Sequence, residues 1–156
     1  MEPQATEPIS ENLWWVIPKK IAGVRKPTAA ELPELKAAGI GAIVSVMDDP
    51  SNLDLYEKAN FPHLWIPVKG GTAPSREQMQ QLQDFVTLQN QQNRAVAVHC
   101  TSGRRRTGTF LAAYLIGLGS SYPDAIQTIL TANPAVELRE AQMQFLQNLS
   151  IESGDR

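Results

Sequence analysis

Two hydrophobic periodicities alternate along the chain. Leu13 to Ile17 and Ile21 to Val24 are short apolar runs separated by Pro18-Lys19-Lys20, which predicts two strands joined by a turn. Thr28 and Glu31 match a capping box, and Leu32, Leu35, Ala38 and Ile40 follow at helical spacing until Gly39 ends the helix. Pro33 is comfortable only in a first turn, so the regular helix is expected to begin nearer Glu31. Ala42 to Val46 predicts a strand, Met47 to Asn52 a loop by its turn chemistry, Leu53 to Ala59 a short helix, and Leu64 to Val68 a further strand. Ser75-Arg76-Glu77-Gln78 is a second capping box, opening a helix whose apolar face is Met79, Leu82, Phe85 and Val86. Ala95 to Val98 is an unbroken small and β-branched run, suited to a parallel strand buried on both faces. From Thr107, Phe110, Leu111, Tyr114, Leu115 and Leu118 recur at helical spacing. Ser121 caps a helix through Ala132 with Ala125, Ile126, Ile129 and Leu130 inward, and a last helix carries Met143, Leu146 and Leu149.

Strands alternating with helices imply an α/β fold: three layers, α/β/α, around a central, mostly parallel sheet of about four to five strands. Ligands in such sheets bind at the carboxyl ends of the strands, so the loops after strands 42–46, 63–67 and 95–99 are expected to share one functional edge. With 156 residues the chain has room for one core, read as a single domain over 13–150 between a flexible tail at 1–12 and another at 151–156. A net charge of -2 argues against nucleic acid as a partner. No run approaches the ~18 consecutive apolar residues of a membrane span, and the first residues lack a basic and apolar leader, so a cytoplasmic location is expected. One cysteine and two histidines exclude an intramolecular disulfide and offer no zinc spacing, so no metal and no cofactor are expected; His63 reads as an ordinary strand-end residue. A monomer is expected.

The chemistry concentrates in residues 95 to 109. A strand ends at His99, a tight loop follows, and a helix leaves it, so the backbone N–H groups of residues 101 to 106 converge at a helix N-terminus. Such a point binds a phosphate-like anion. Thr101, Ser102, Gly103, Arg104, Arg105 and Arg106 are the candidate phosphate-binding residues. Gly103 lets the backbone turn without a Cβ clash. Cys100 sits at the base, where those dipoles and three consecutive arginines stabilise a thiolate and pull the thiol below its usual range, making it a nucleophile at neutral pH. Arg106 can return to the rim and offer a planar fork to two phosphoryl oxygens, which lysine could not match. The alternative for these residues is a buried, reduced cysteine beside a solvated arginine cluster.

His99-Cys100-x-x-Gly103-x-x-Arg106-Thr107 resembles the signature of cysteine-dependent protein tyrosine and dual-specificity phosphatases, and all five fixed positions match. The order of elements, with this loop late in the chain, resembles the compact single-domain dual-specificity type over roughly residues 13–150. The resemblance implies that fold and a phosphocysteine mechanism: Cys100 attacks phosphorus, Arg106 binds the phosphoryl group, Thr107 stabilises the thiolate as a leaving group, Ser102 supports it, and His99 orients the loop. Gln142, in Gln-x-x-Phe-Leu with Phe145 and Leu146, resembles the family's water-positioning glutamine.

In one place the chain departs from the pattern. Relatives carry a general-acid aspartate in the loop after the strand ending Ile-Pro, but here Ile66-Pro67 is followed by Val68-Lys69-Gly70-Gly71, and no Asp or Glu lies between Glu57 and Glu77. Asp48 and Asp49, in a loop at the same edge, are candidate replacement acids or else turn-forming residues; Glu137 and Glu140 are candidates or else helix-start carboxylates. The expected function is therefore a phosphomonoester hydrolase acting on phosphoproteins or on a polyanionic phosphate such as an inositol phosphate or phosphoinositide. Arg104 and Arg105 either favour the polyanion or merely raise the loop's potential. The rival is a phosphate-binding module of the same fold with negligible turnover because the usual acid is absent.

Overall fold

The computed structural model of the chain describes residues 8–69, 72–101 and 105–154. Its sheet contains β1 (Trp14–Ile17), β2 (Ile21–Val24), β3 (Ile40–Ser45), β4 (His63–Trp65) and β5 (Ala95–His99) in the order β1-β2-β5-β3-β4. Only the β1–β2 hairpin is antiparallel; β2, β5, β3 and β4 run parallel. The helices are α1 (Leu32–Ala37), α2 (Leu53–Lys58), α3 (Arg76–Gln91), α4 (Arg105–Gly117), α5 (Tyr122–Ala132) and α6 (Glu140–Gly154).

The alternation Ala95-Val96-Ala97-Val98 assigns the two faces of the central strand. Val96 and Val98 enter the larger core with Phe110, Leu111, Ala125 and Leu146. Ala95 and Ala97 enter the smaller one with Leu32, Leu35, Tyr56 and Phe61, where small residues let a tyrosine ring approach the sheet. All five β5 residues are buried, as an interior parallel strand requires. The two tryptophans divide likewise, Trp14 into the larger core and Trp15 against the smaller. Trp14 lies over Gly23, its register partner, and a Cβ on Gly23 would stand 2.3 Å from the indole. Gly23→Ala is therefore expected to lower stability by about 1–3 kcal/mol in urea unfolding, because indole or backbone must shift to admit one methyl.

Several boundaries differ from the sequence reading. Ile40, counted with the first helix, begins β3, because α1 stops at Ala37 and Gly39 takes φ +103° to turn the chain into the sheet. The Thr28/Glu31 capping box is present, but on a single 3-10 turn ahead of α1, with Pro33 inside α1's first turn. The chain within the expected tail at 1–12 is already packed at Ile9, which forms a short 3-10 turn and is fully buried in the smaller core. At the other end α6 continues to Gly154, past the expected boundary at 150. Leu130, expected inward, is 40% exposed, because α5 buries the stripe of Ala125 and Ile129 instead.

Candidate active site

Strand register builds the site. Val24 pairs with His99, His99 with Ser45, and Ser45 with Trp65, so four parallel strands end in one row. The segments that leave them, beginning at residues 25, 46, 66 and 100, emerge side by side at the carboxyl edge. Backbone bonds carry the pairing outward: Val46 N–H to His99 O at 2.9 Å, Ile66 N–H to Ser45 O at 2.8 Å, and Lys26 N–H to Thr101 O at 3.2 Å. Three of these segments were expected from the sequence, and the fourth, 25–28 after the hairpin, was not.

Cys100 lies at the foot of the loop and is buried. Its carbonyl accepts from His99 Nδ1 at 3.0 Å, and His99 Nε2 meets the Tyr56 hydroxyl at 2.7 Å. A carbonyl only accepts, so Nδ1 carries the proton, Tyr56 O–H donates to Nε2, and Asn52 Nδ2 donates to Tyr56 at 3.0 Å. Burial raises the Tyr56 hydroxyl above its ordinary range, which keeps it a donor. Holding the Cys100 carbonyl toward His99, across a trans peptide, leaves the Thr101 N–H facing the opposite way. Tyr56 and Asn52 were invisible to the sequence reading, since their partner lies more than forty residues on and Tyr56 reads simply as an apolar-face residue of a short helix.

Burial lowers the His99 imidazole to about 4, so it is neutral across the physiological range. The unfolded chain, with the ordinary value of 6.5, binds a proton the folded protein refuses. This contribution to stability is complete above about pH 6.5 and is lost as pH falls toward 4, amounting to about 3 kcal/mol. Urea unfolding at pH 7 and pH 4.5 is expected to show most of that loss in the native sequence and little of it in His99→Gln. Glu31, held at about 2 chiefly by its hydrogen bond with Arg25, sheds its own contribution only as pH falls from 4.5 toward 2, outside this window.

Arg106 stands on the first turn of α4 with its side chain mostly buried. Its Nη1 donates to Val68 O at 3.0 Å and lies 3.6 Å from Asp48 Oδ1, an ion pair too long for a good hydrogen bond. Thr107 is fully buried, and its Oγ1 is the one buried side-chain polar atom without a hydrogen-bond partner among the described residues. An orphan hydroxyl one residue from the candidate phosphate clamp calls for a functional account. Thr101 is exposed at the mouth. Ser102, Gly103 and Arg104 lie outside the described residues, as does the side chain of Arg105, the residue that opens α4.

The acid candidates separate. Trp65 Nε1 donates to Met47 O at 2.7 Å, fixing the loop just before Asp48 and directing that carboxylate toward Arg106. Asp49 turns away into its own loop, where it accepts from the backbone N–H and the hydroxyl of Ser51, which hold its carboxyl below the usual carboxylate range. Such a group gives up a proton too readily to serve as an acid near neutrality. Glu140 is the first residue of α6 and Glu137 lies in the preceding segment, both exposed. Gln142 is fully buried; its Oε1 accepts from Arg139 N–H at 2.8 Å and its Nε2 donates to Thr72 O at 3.3 Å, so it ties the start of α6 to the segment after β4. Lys69 is exposed in that segment, while Gly70 and Gly71 fall outside the described residues. His63 opens β4 with Nδ1 on Phe61 O at 2.9 Å.

This fold is that of the dual-specificity phosphatase class. Residues 18–120 match the family profile described as "Polymorphic toxin system, DSP-PTPase phosphatase", and the chain belongs to that family. It is 27% identical over 139 residues to phosphatidylglycerophosphate phosphatase PTPMT1 of Arabidopsis thaliana, covering 85% of this chain and 41% of that protein. It is 28% identical over 116 residues to the PRL-1 phosphatase of Drosophila melanogaster, covering 73% of this chain and 65% of that one. The chain thus spans less than two thirds of the length of these relatives. The crystal structure of Tk-PTP in the active form superposes with a TM-score of 0.81 at 28% identity, over 90% of this chain and 97% of that one. PTPMT1 in complex with PI(5)P shares the fold, with a TM-score of 0.82 at 19% identity over 93% and 98% of the two chains. No helix among the described residues is long and apolar enough to cross a membrane.

Proposed function

We propose that the chain is a phosphomonoester hydrolase working through a phosphocysteine intermediate. The observation that carries the proposal is that Cys100, buried and with its own carbonyl and that of Thr101 taken up by His99 and by Lys26 N–H, shares one sheet edge with Arg106. Cys100 Sγ attacks phosphorus, and an S–P bond forms as the ester P–O bond breaks. Arg106 and the N–H groups of 101–106 hold the phosphoryl oxygens. Asp48 protonates the departing oxygen. Water then attacks phosphorus, giving its proton to the Asp48 carboxylate, the S–P bond breaks, and the Thr107 hydroxyl receives the thiolate as the partner it lacks in the resting protein. His99, neutral and braced by Tyr56, orients the loop, and Gln142 holds the segment after β4 over it.

The substrate is a phosphoprotein or a small polyanionic phosphate, and two considerations favour the small molecule. An Arabidopsis relative is named for phosphatidylglycerophosphate, and Arg104 and Arg105 add charge to the loop. The single domain takes in residues 13–150 together with the packed turn at Ile9 and the end of α6, and acts as a monomer, and the mechanism needs a reduced thiol, which the cytoplasm maintains. The deciding measurement is rapid acid quenching with p-nitrophenyl phosphate: a burst of p-nitrophenol matching the enzyme concentration, with a phosphoryl adduct on the Cys100 peptide, is expected. Phosphate bound without burst or adduct would show a binding module instead.

A further inference from the structure

We propose that Lys26 forms a second anion subsite beside the phosphate loop, and that the substrate is a small phosphomonoester bearing a second phosphate next to the scissile one. The inference rests on the phosphatase reading above and narrows its substrate. It starts from the segment the sequence reading passed over. Residues 25–28 leave β2 where Val24 pairs with His99, so they form the lip of the pocket beside the catalytic strand.

The lip is held by its backbone. Lys26 N–H donates to Thr101 O at 3.2 Å, and Lys26 O accepts from Arg25 Nη1 at 3.2 Å. Pro27 fixes the next φ, and its carbonyl accepts from Asn52 Nδ2 at 2.7 Å, the same amide that supports Tyr56. The two cations of the lip then part ways. Arg25 is committed to Glu31 through bonds of 2.9 and 2.7 Å, and Glu31 is itself fixed by the Thr28 N–H. Lys26 is half-buried and makes no ion pair among the described residues. Its main chain, bonded to Thr101 and two residues past the pairing of Val24 with His99, places it where the lip meets the segment that carries Cys100. Asp49 does not pair with it, being folded onto Ser51.

An ammonium at the lip that makes no ion pair among the described residues gives up no salt bridge when an anion arrives to meet it. Here the backbone that presents it is already ordered, so little further entropy is lost when one does. The anion must lie within a lysine side chain of the scissile phosphorus. Two phosphates on neighbouring carbons of a polyol satisfy that fixed spacing in every molecule, whereas an acidic side chain near a phosphorylated residue does so only in particular peptides.

The test compares kcat/KM for inositol 4,5-bisphosphate with kcat/KM for p-nitrophenyl phosphate, and reads the ratio. Lys26→Gln is expected to lower it about tenfold or more, as for loss of a charged hydrogen bond, and Lys26→Arg to restore most of it. Lys19→Gln, which removes the same charge at the opposite end of the sheet, leaves the ratio unaltered. The side-chain changes retain the Lys26 N–H bond to Thr101, so the loop keeps its support. A second arm presents phosphatidylinositol 4,5-bisphosphate in phosphatidylcholine vesicles: loss in both arms assigns the free bisphosphate unit, and loss in the vesicle arm alone assigns a membrane-borne headgroup. Calorimetry of inositol 4,5-bisphosphate binding to Cys100→Ser, with and without Lys26→Gln, reads the subsite without turnover. If p-nitrophenyl phosphate is hydrolysed but neither the ratio nor the binding depends on Lys26, the subsite is refuted and the phosphatase reading stands. If no substrate turns over while bisphosphate binding weakens about tenfold in Lys26→Gln, the subsite stands and the phosphatase reading falls. Dependence on Lys26 with a phosphotyrosyl peptide alone would overturn the small-bisphosphate assignment.

Discussion

Cys100→Ser is expected to lower kcat for p-nitrophenyl phosphate by about 10⁴-fold or more, to the background of the uncatalysed reaction, while leaving the affinity for inorganic phosphate or tungstate within a few-fold of the native value. The asymmetry follows from where the binding energy lies. In the proposed mechanism the oxyanion would be held by loop N–H groups and the Arg106 fork, and neither depends on the sulfur. The loop's support is also independent of it: His99 Nδ1 and Lys26 N–H hold the carbonyls of Cys100 and Thr101, contacts a serine backbone retains. A hydroxyl is a far weaker nucleophile than a thiolate, and neutral His99, with both nitrogens occupied, does not serve it as a base. Steady-state rates with calorimetric phosphate binding check both halves. Turnover clearly above background in Cys100→Ser would remove the covalent mechanism, and loss of phosphate binding together with turnover would mean that the substitution had collapsed the loop. Arg106→Lys in the same assays separates fork from charge. It replaces a bidentate donor by a point charge and gives up the bond to Val68 O, so both binding and rate are expected to fall.

The sequence made the catalytic strand, its loop and the following helix legible because all three are local. Four apolar residues of alternating size, a signature of fixed spacing and a 3.6-residue repeat occupy one continuous stretch from Ala95 to Leu118. Both capping boxes were legible for the same reason, being four-residue patterns with a single geometric meaning. Contacts that join distant segments were not. Nothing in Leu53-Asp54-Leu55-Tyr56 distinguishes a core tyrosine from one whose hydroxyl completes a hydrogen-bond chain to His99. The lip at 25–28 was missed because the sequence reading joined β1 to β2 by a turn but did not pair β2 with the catalytic strand; only parallel pairing of β2 with β5 brings Lys26 to Thr101. Asp48 and Asp49 were indistinguishable as neighbours in a turn. They diverge because Ser51 captures one while Trp65, from another strand, fixes the backbone ahead of the other.

That divergence sets the largest remaining expectation, which concerns the proton for the leaving oxygen. General acid catalysis contributes typically 10²- to 10⁴-fold where the leaving group needs a proton and almost nothing where it does not. Asp48 has the position: its carboxylate lies 3.6 Å from Arg106, beside the place a phosphoryl group would occupy, and is about half exposed, open to solvent for reprotonation. Across a series from p-nitrophenyl phosphate to alkyl phosphates, Asp48→Asn should therefore lose about 10²-fold or more on the alkyl esters and little on p-nitrophenyl phosphate. A plot of log kcat/KM against leaving-group acidity steepens accordingly. Asp49→Asn and Glu137→Gln are expected to keep the native slope, the first because its carboxylate is held in the Ser51 turn. A slope that steepens in Asp49→Asn or Glu137→Gln instead would reassign the acid to that residue. Equal slopes in all three variants would leave Glu140, or a phosphatase that relies on the leaving group's own acidity and so prefers aryl and other activated phosphates.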